Sequence, residues 1–87
     1  MLLVIDVGNT NTVMGIYQRD TLIKDWRIRT ERKTTEDEFN VIVNSLFAID
    51  GIDAQNIRRT VISSVVPPMV TILDSFCRKY LGHAPKW

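Results

Sequence analysis

The segment from Asp6 to Thr12, Asp-Val-Gly-Asn-Thr-Asn-Thr, carries the residue types in this chain that are best suited to chemistry. It places one carboxylate directly after the apolar run Met1–Ile5, followed within two residues by a run of small or polar residues, Gly8–Thr12. Such a turn offers many backbone and side-chain donors with little bulk, which suits a loop that folds around a polyphosphate. A carboxylate beside it could hold a hydrated Mg²⁺. The segment therefore predicts a phosphate-binding loop, with Asp6 organising the metal.

An ordinary hairpin turn is the alternative interpretation of the same residues. Gly takes positive φ, and Asn and Asp tolerate it, so Asn9 and Asn11 could equally supply the left-handed positions of a turn. Two details favour the ligand-binding interpretation. A two-residue hairpin needs only one such pair, whereas five consecutive residues are small or polar here. In addition, a carboxylate buried at the end of an apolar strand would be costly without a partner.

Composition narrows the classes of protein that remain. A chain of 87 residues, 45% of them hydrophobic, fits one small globular domain or part of a larger one. The net charge is +1, with acidic and basic residues interspersed, so no basic footprint of a nucleic-acid binder is present. The most basic stretch, Arg27–Lys33, is predicted to be a solvated loop.

The single cysteine, Cys77, excludes an internal disulfide and fits a reducing compartment. It lies on an apolar helical stripe and is predicted to be a small core residue. The single histidine, His83, follows Gly82 in a short polar segment and is expected at the surface, so a zinc site is disfavoured. The amino-terminal apolar run is too short for a signal peptide or membrane span, and we expect a cytoplasmic protein.

The first three predicted elements are strands. Leu2–Val7 is a near-continuous apolar run, typical of a central strand covered on both faces. Thr12–Tyr17 and Thr21–Ile28 follow after short polar turns, which predicts an antiparallel meander.

After the third strand, the spacing of the apolar residues changes to that of a helix. Thr35–Glu38 has the sequence of a capping box, apolar residues follow at helical spacing, and Asp50-Gly51 ends the segment. Thr60–Val66 is β-branched and predicts strand four. Pro67-Pro68 then begins a second helix, which Gly82 ends; its apolar stripe comprises Met69, Leu73, Phe76, Cys77 and Tyr80. Pro85–Trp87 resembles the approach to a further strand beside strand four.

The predicted order is β-β-β-α-β-α, an α/β arrangement. The helical crossover should place strand four parallel to an earlier strand, and strand one is the most apolar neighbour. A mixed sheet in the order 3-2-1-4 follows, with helices on its faces. Ligands bind beyond the carboxyl ends of parallel strands in such sheets. Asp6 and Gly8 lie at that end of strand one and Ser63 and Ser64 near that end of strand four, where small residues could also serve packing.

These motifs together resemble the type III pantothenate kinase family, within the superfamily of sugar kinases, Hsp70-type ATPases and actin. The resemblance runs end to end, through Asp6–Thr12, Trp26-Arg27, Thr35–Glu38 and Ser63–Pro68. It implies a ribonuclease-H-like fold in which residues 1–87 form the first part of the first domain, an incomplete half of the whole. It also implies that the second domain, the pantothenate-binding Gly-x-Asp-Arg and the catalytic aspartate lie beyond Trp87.

The resemblance implies ATP-dependent phosphorylation of pantothenate, the first step of coenzyme A biosynthesis. It further implies Mg²⁺ with ATP, a monovalent cation (K⁺ or NH₄⁺) and a homodimer. Asp6 would organise Mg²⁺ through water, and the residues that bind the phosphates of ATP would be Asp6, Val7, Gly8, Asn9, Thr10, Asn11, Thr12 and Val13. The 87-residue chain alone is expected to be inactive.

Two other functions stay open on the sequence. One is a non-catalytic regulatory or scaffold protein of the same fold, which would act through protein contacts because the near-neutral charge disfavours direct binding to DNA. The other is a different kinase of the superfamily. A downstream Gly-x-Asp-Arg and a second Asp- and Gly/Thr-rich loop in the reading frame would favour the pantothenate kinase.

Overall fold

A computed structural model describes residues 1–87 as a four-stranded sheet with two helices packed on it. The elements in chain order are β1 (Leu2–Val7), β2 (Asn11–Gln18), β3 (Thr21–Arg29), α1 (Glu36–Ile49), β4 (Arg59–Ser64) and α2 (Pro67–Phe76). A short 3₁₀ turn precedes β4, and a π-helical turn, Cys77–Leu81, extends α2. Neither α1 nor α2 has the length and apolar character that a membrane-spanning helix needs.

The sheet has the predicted order, β3-β2-β1-β4. β1 pairs antiparallel with β2 and parallel with β4, which confirms the mixed topology inferred from the helical crossover. Lys86 forms a parallel bridge to Val61, and its backbone bonds Thr60 and Ile62 at 2.8 Å. The segment Pro85–Trp87 therefore begins to pair beside β4, as the sequence suggests.

The hydrophobic core lies on one face of the sheet only. Leu3, Ile5 and Val7 of β1 are at most 1% exposed and join one cluster of 15 buried residues with α1 and α2. The alternate residues of β1 face the other side, where Val4 is half-buried and Asp6 is exposed. The prediction that β1 is covered on both faces is wrong for this structure, because both helices pack on the same side.

Helix α1 begins at the predicted capping box. The Glu38 N–H donates to Thr35 Oγ1, and the Thr35 N–H donates to Glu38 Oε1, both at 3.1 Å. At the other end, Asp50 accepts a 2.6 Å hydrogen bond from the Trp26 indole N–H, and Gly51 has a φ of 70°. The Trp26 ring packs 5.4 Å from that of Phe47, so β3 is attached to the carboxyl end of α1.

Thr35→Ala should lower the free energy of unfolding by about 1 kcal/mol, because the Thr35 hydroxyl no longer accepts the Glu38 N–H or donates to the Glu38 carboxylate. Urea denaturation of the complete protein would measure this. Thr34→Ala is the matched control, since the Thr34 hydroxyl makes only a 3.5 Å contact to the Thr35 carbonyl. Equal losses in the two variants would contradict a role for the capping box.

Strand β4 is shorter than predicted. It ends at Ser64 rather than Val66, because the Ser64 hydroxyl accepts the Val66 N–H at 3.0 Å and turns the chain into α2. Val66 becomes the N-cap of that helix, and Pro67-Pro68 occupy its first turn as predicted. The β-branched pattern could not show this boundary, since Val65 and Val66 suit a strand equally well.

The end of α2 confirms the predictions for Cys77 and Gly82, and it corrects those for Tyr80 and His83. Cys77 is buried, and that burial raises the pKa of its thiol to about 11, so it is an unreactive core residue. Tyr80 keeps 38% exposure at the rim of the stripe, and Gly82 ends the turn with a φ of 76°. His83 is not a free surface residue: it is half-buried, and its Nε2 lies 2.9 Å from Thr60 Oγ1.

Candidate functional site

The predicted phosphate loop lies at the edge of the sheet where the parallel strands β1 and β4 both end. Gly8, Asn9 and Thr10 connect β1 to β2. The Gly8 N–H donates to the Asn11 carbonyl at 2.9 Å, and a Cβ on Gly8 would lie 3.1 Å from that oxygen. The close approach favours glycine at this position. Neither Asn9 nor Asn11 has a positive φ, so the left-handed alternative for these residues is wrong.

Asp6 lies on the face of the sheet that the helices leave uncovered. It is exposed, contrary to the expectation of a buried carboxylate, because the alternation along β1 turns residue 6 away from the core. Ser63 occupies the paired position on β4 and donates its hydroxyl to Asp6 Oδ1 at 2.8 Å. Oδ2 makes no hydrogen bond within the protein and is free to face a ligand.

The tip of the loop offers free donors beside this carboxylate. Asn9 and Thr10 are exposed, and their backbone N–H groups make no hydrogen bond. Arg32 brings a positive charge to the loop, since its guanidinium donates to Asn9 Oδ1 at 2.9 Å. The edge therefore combines one carboxylate, two free amide donors and one cation, a set able to bind a phosphate group together with a hydrated metal.

Arg32 is a site residue that the sequence analysis missed. The stretch Arg27–Lys33 was predicted to be a solvated loop, but Arg27 and Arg29 belong to β3 and only the residues after them form the loop. The strand topology could have indicated that Arg32 lies near the loop. β3 runs antiparallel to β2, so the end of β3 must return to the edge where β2 begins, beside the Gly8–Thr10 loop.

The other predicted phosphate-binding residues are placed in different ways. Val7 and Thr12 are each 1% exposed on the core side and can act only as supports of the loop. Asn11 is half-buried at the start of β2. Val13 is half-buried and paired with Asp6 on the uncovered face, so its side chain lies beside the carboxylate. Binding by these residues stays a prediction.

Of the two serines predicted near the end of β4, the structure brings only Ser63 to the site. The Ser64 hydroxyl lies 3.1 Å from the Val66 carbonyl oxygen and 3.0 Å from the Val66 nitrogen, at the start of α2. Ser64 therefore serves the helix start rather than the carboxylate, which is the packing role that the sequence left open.

The residues at this edge fit a weakly held Mg²⁺ better than a dedicated metal centre. No group of three or more His, Cys, Asp or Glu side chains could hold an ion by itself. Mg²⁺ commonly keeps several waters and is held by one or two carboxylates together with the phosphates of a substrate. Asp6, with one oxygen oriented by Ser63 and the other free, matches that donor set.

Comparison with known proteins gives one consistent family. The sequence profile of the family described as type III pantothenate kinase matches residues 2–87. The type III pantothenate kinase of Desulforapulum autotrophicum is 61% identical over 87 residues, which are 100% of this chain and 33% of the relative. The type III pantothenate kinase of Desulfatibacillum aliphaticivorans is also 61% identical over 87 residues, which are 100% of this chain and 34% of the relative. The Halalkalibacterium halodurans enzyme is 54% identical over 85 residues, 98% of this chain and 34% of the relative. The chain thus spans about a third of the length of these relatives.

Proposed function

Since the chain belongs to the type III pantothenate kinase family, we propose that its complete protein transfers the γ-phosphoryl group of ATP to pantothenate. The product would be 4′-phosphopantothenate, in the first step of coenzyme A biosynthesis. Residues 1–87 would supply the loop that binds the phosphates of ATP. The observation that carries this assignment is that the free oxygen of Asp6 and the unbonded N–H groups of Asn9 and Thr10 lie at the same edge of the sheet.

The residues of the loop edge have distinct parts in this proposal. The N–H groups of Asn9 and Thr10 would donate to phosphate oxygens, and Arg32 would offset their negative charge. Asp6 would hold a hydrated Mg²⁺ through its free oxygen while Ser63 keeps the carboxylate in one orientation. The ion, when bound, neutralises charge on the phosphates.

The rigidity of the loop edge matters because phosphoryl transfer depends on positioning and on charge stabilisation. A loop held between two paired strands loses little conformational freedom when the nucleotide binds. We assign neither the acceptor site nor the catalytic aspartate to residues 1–87. The monovalent cation, K⁺ or NH₄⁺, and the homodimer are part of the same proposal.

The direct test is an assay of the protein expressed from its complete reading frame, with ATP, Mg²⁺, K⁺ and pantothenate. We expect equal amounts of ADP and 4′-phosphopantothenate by mass spectrometry, loss of product with EDTA, and a lower rate when Na⁺ replaces K⁺. Omitting pantothenate is the control for plain ATP hydrolysis. ATP binding without any phosphorylated product would support the scaffold alternative, and phosphorylation of a different alcohol in preference to pantothenate would support another kinase of the superfamily.

A further inference from the structure

Thr30, the residue directly after β3, closes onto the phosphate loop through three hydrogen bonds. Its backbone N–H donates to the Thr10 carbonyl at 2.9 Å. Its hydroxyl donates to the Gly8 carbonyl at 2.8 Å and lies 2.9 Å from the Thr12 hydroxyl. Thr30 is only 9% exposed, so these bonds are shielded from competing water.

The two threonine hydroxyls form a directed chain. A hydroxyl has a single proton to donate, and that of Thr30 is engaged by the Gly8 carbonyl. Thr12 must then donate to Thr30, which makes the order Thr12 to Thr30 to Gly8. The buried Thr12, which cannot contact a ligand itself, therefore orients the Thr30 hydroxyl toward the loop.

Holding the Gly8 carbonyl also determines the direction of a ligand-binding donor. The C=O of Gly8 and the N–H of Asn9 belong to one trans peptide plane and point in opposite directions. Because the carbonyl points inward at Thr30, the free Asn9 N–H must point outward. The Thr30 backbone N–H holds the Thr10 carbonyl in the same manner. The free Thr10 N–H therefore lies between two peptide planes that Thr30 anchors, the one that begins at Gly8 and the one that begins at Thr10.

We propose that Thr30 is a positioning residue for the phosphate loop, which rests on the proposed function of that loop. Thr30 touches no phosphate group itself. It keeps the free N–H of Asn9 aimed outward, and it anchors the peptide planes on both sides of the Thr10 N–H, so that binding ATP does not have to order the loop. Preorganisation of this kind raises affinity for the group that the donors contact.

Thr30→Val in the complete enzyme tests the proposal, because valine keeps the shape and the backbone bond to Thr10 but removes the hydroxyl. We expect KM for ATP to rise by about tenfold, the upper range for losing the one hydrogen bond that holds the Gly8 carbonyl, with KM for pantothenate changed less than about twofold. Thr30→Ser, which keeps the hydroxyl, should restore KM for ATP to within about twofold of wild type. An unchanged KM for ATP in Thr30→Val would overturn the proposal.

Thr60→Val is the matched control for a loss of stability. Thr60 is also buried, at 2% exposure, and its hydroxyl bonds His83 near the opposite end of β4. We expect it to lower the melting temperature as Thr30→Val does, but to leave KM for ATP unchanged. An equal rise of KM for ATP in both variants would show a general effect of stability and would overturn the positioning role.

Amide hydrogen exchange on the wild-type enzyme keeps the proposal testable even when Thr30→Val does not fold. The Gly8 and Thr30 amides should be protected without nucleotide, and a non-hydrolysable ATP analogue should change their exchange less than about threefold. If the Gly8 and Thr30 amides exchange rapidly without nucleotide and become protected only when the analogue is added, the proposal is overturned. An inactive wild-type enzyme would instead contradict the proposed function, so the two failures are distinguishable.

Discussion

Asp6→Asn in the complete enzyme is expected to keep the fold but to lower kcat by about 100-fold or more, the range for loss of one preorganised electrostatic group. Asp6 is exposed, and the asparagine carbonyl can still accept the 2.8 Å bond from Ser63, so neither packing nor the serine contact is lost. What disappears is the negative charge that would hold the hydrated Mg²⁺ against the phosphates.

Steady-state kinetics over a Mg²⁺ titration, with a urea melt of each variant, would measure this effect. Asp20→Asn is the matched control, because Asp20 is an exposed carboxylate in the turn between β2 and β3, at the opposite end of these strands from the loop. It should keep kcat within about twofold of wild type, as expected for a surface change that touches no site group. Near-wild-type kcat of Asp6→Asn at saturating Mg²⁺ would contradict the role of Asp6.

Phe76→Ala should lower the free energy of unfolding by about 3–5 kcal/mol. Phe76 is fully buried at the point where α2 passes into the π-helical turn. Its ring packs edge-to-face on Phe39 of α1, with centroids 5.0 Å apart and planes at 82°, and lies 6.3 Å from Tyr80. Removing it leaves a cavity between the two helices, and typical domains have only about 5–15 kcal/mol of stability in total.

Urea denaturation of the complete protein would quantify the loss. Val70→Ala on the same helix is the control, because Val70 is 40% exposed and its truncation should change stability by less than about 1 kcal/mol. If Phe76→Ala and Val70→Ala have similar effects, the contact between the helices does not carry the stability that the packing indicates.

Much of the architecture followed from local patterns in the sequence. The capping box at Thr35–Glu38 places the start of α1 through hydrogen bonds that span three residues, and Gly82 ends the second helical segment through its own backbone freedom. The strand order followed from the helical crossover, because the handedness and length of such a connection leave β4 few places beside β1. Short-range sterics and hydrogen bonds decide these features, so a single sequence contains them.

The sequence alone also located the candidate site, by placing Asp6 and Gly8–Thr10 at the carboxyl end of a strand that gains a parallel neighbour. Only the tertiary structure decided how that site is built. Ser63 reaches Asp6 across 57 residues and Thr30 reaches Gly8 across 22, and both contacts depend on strand register. The apolar run of β1 likewise could not show which face the helices cover, and hence that Asp6 is exposed. Local propensity carries no information about such pairings, because they exist only once distant strands have aligned and the helices have packed on one side.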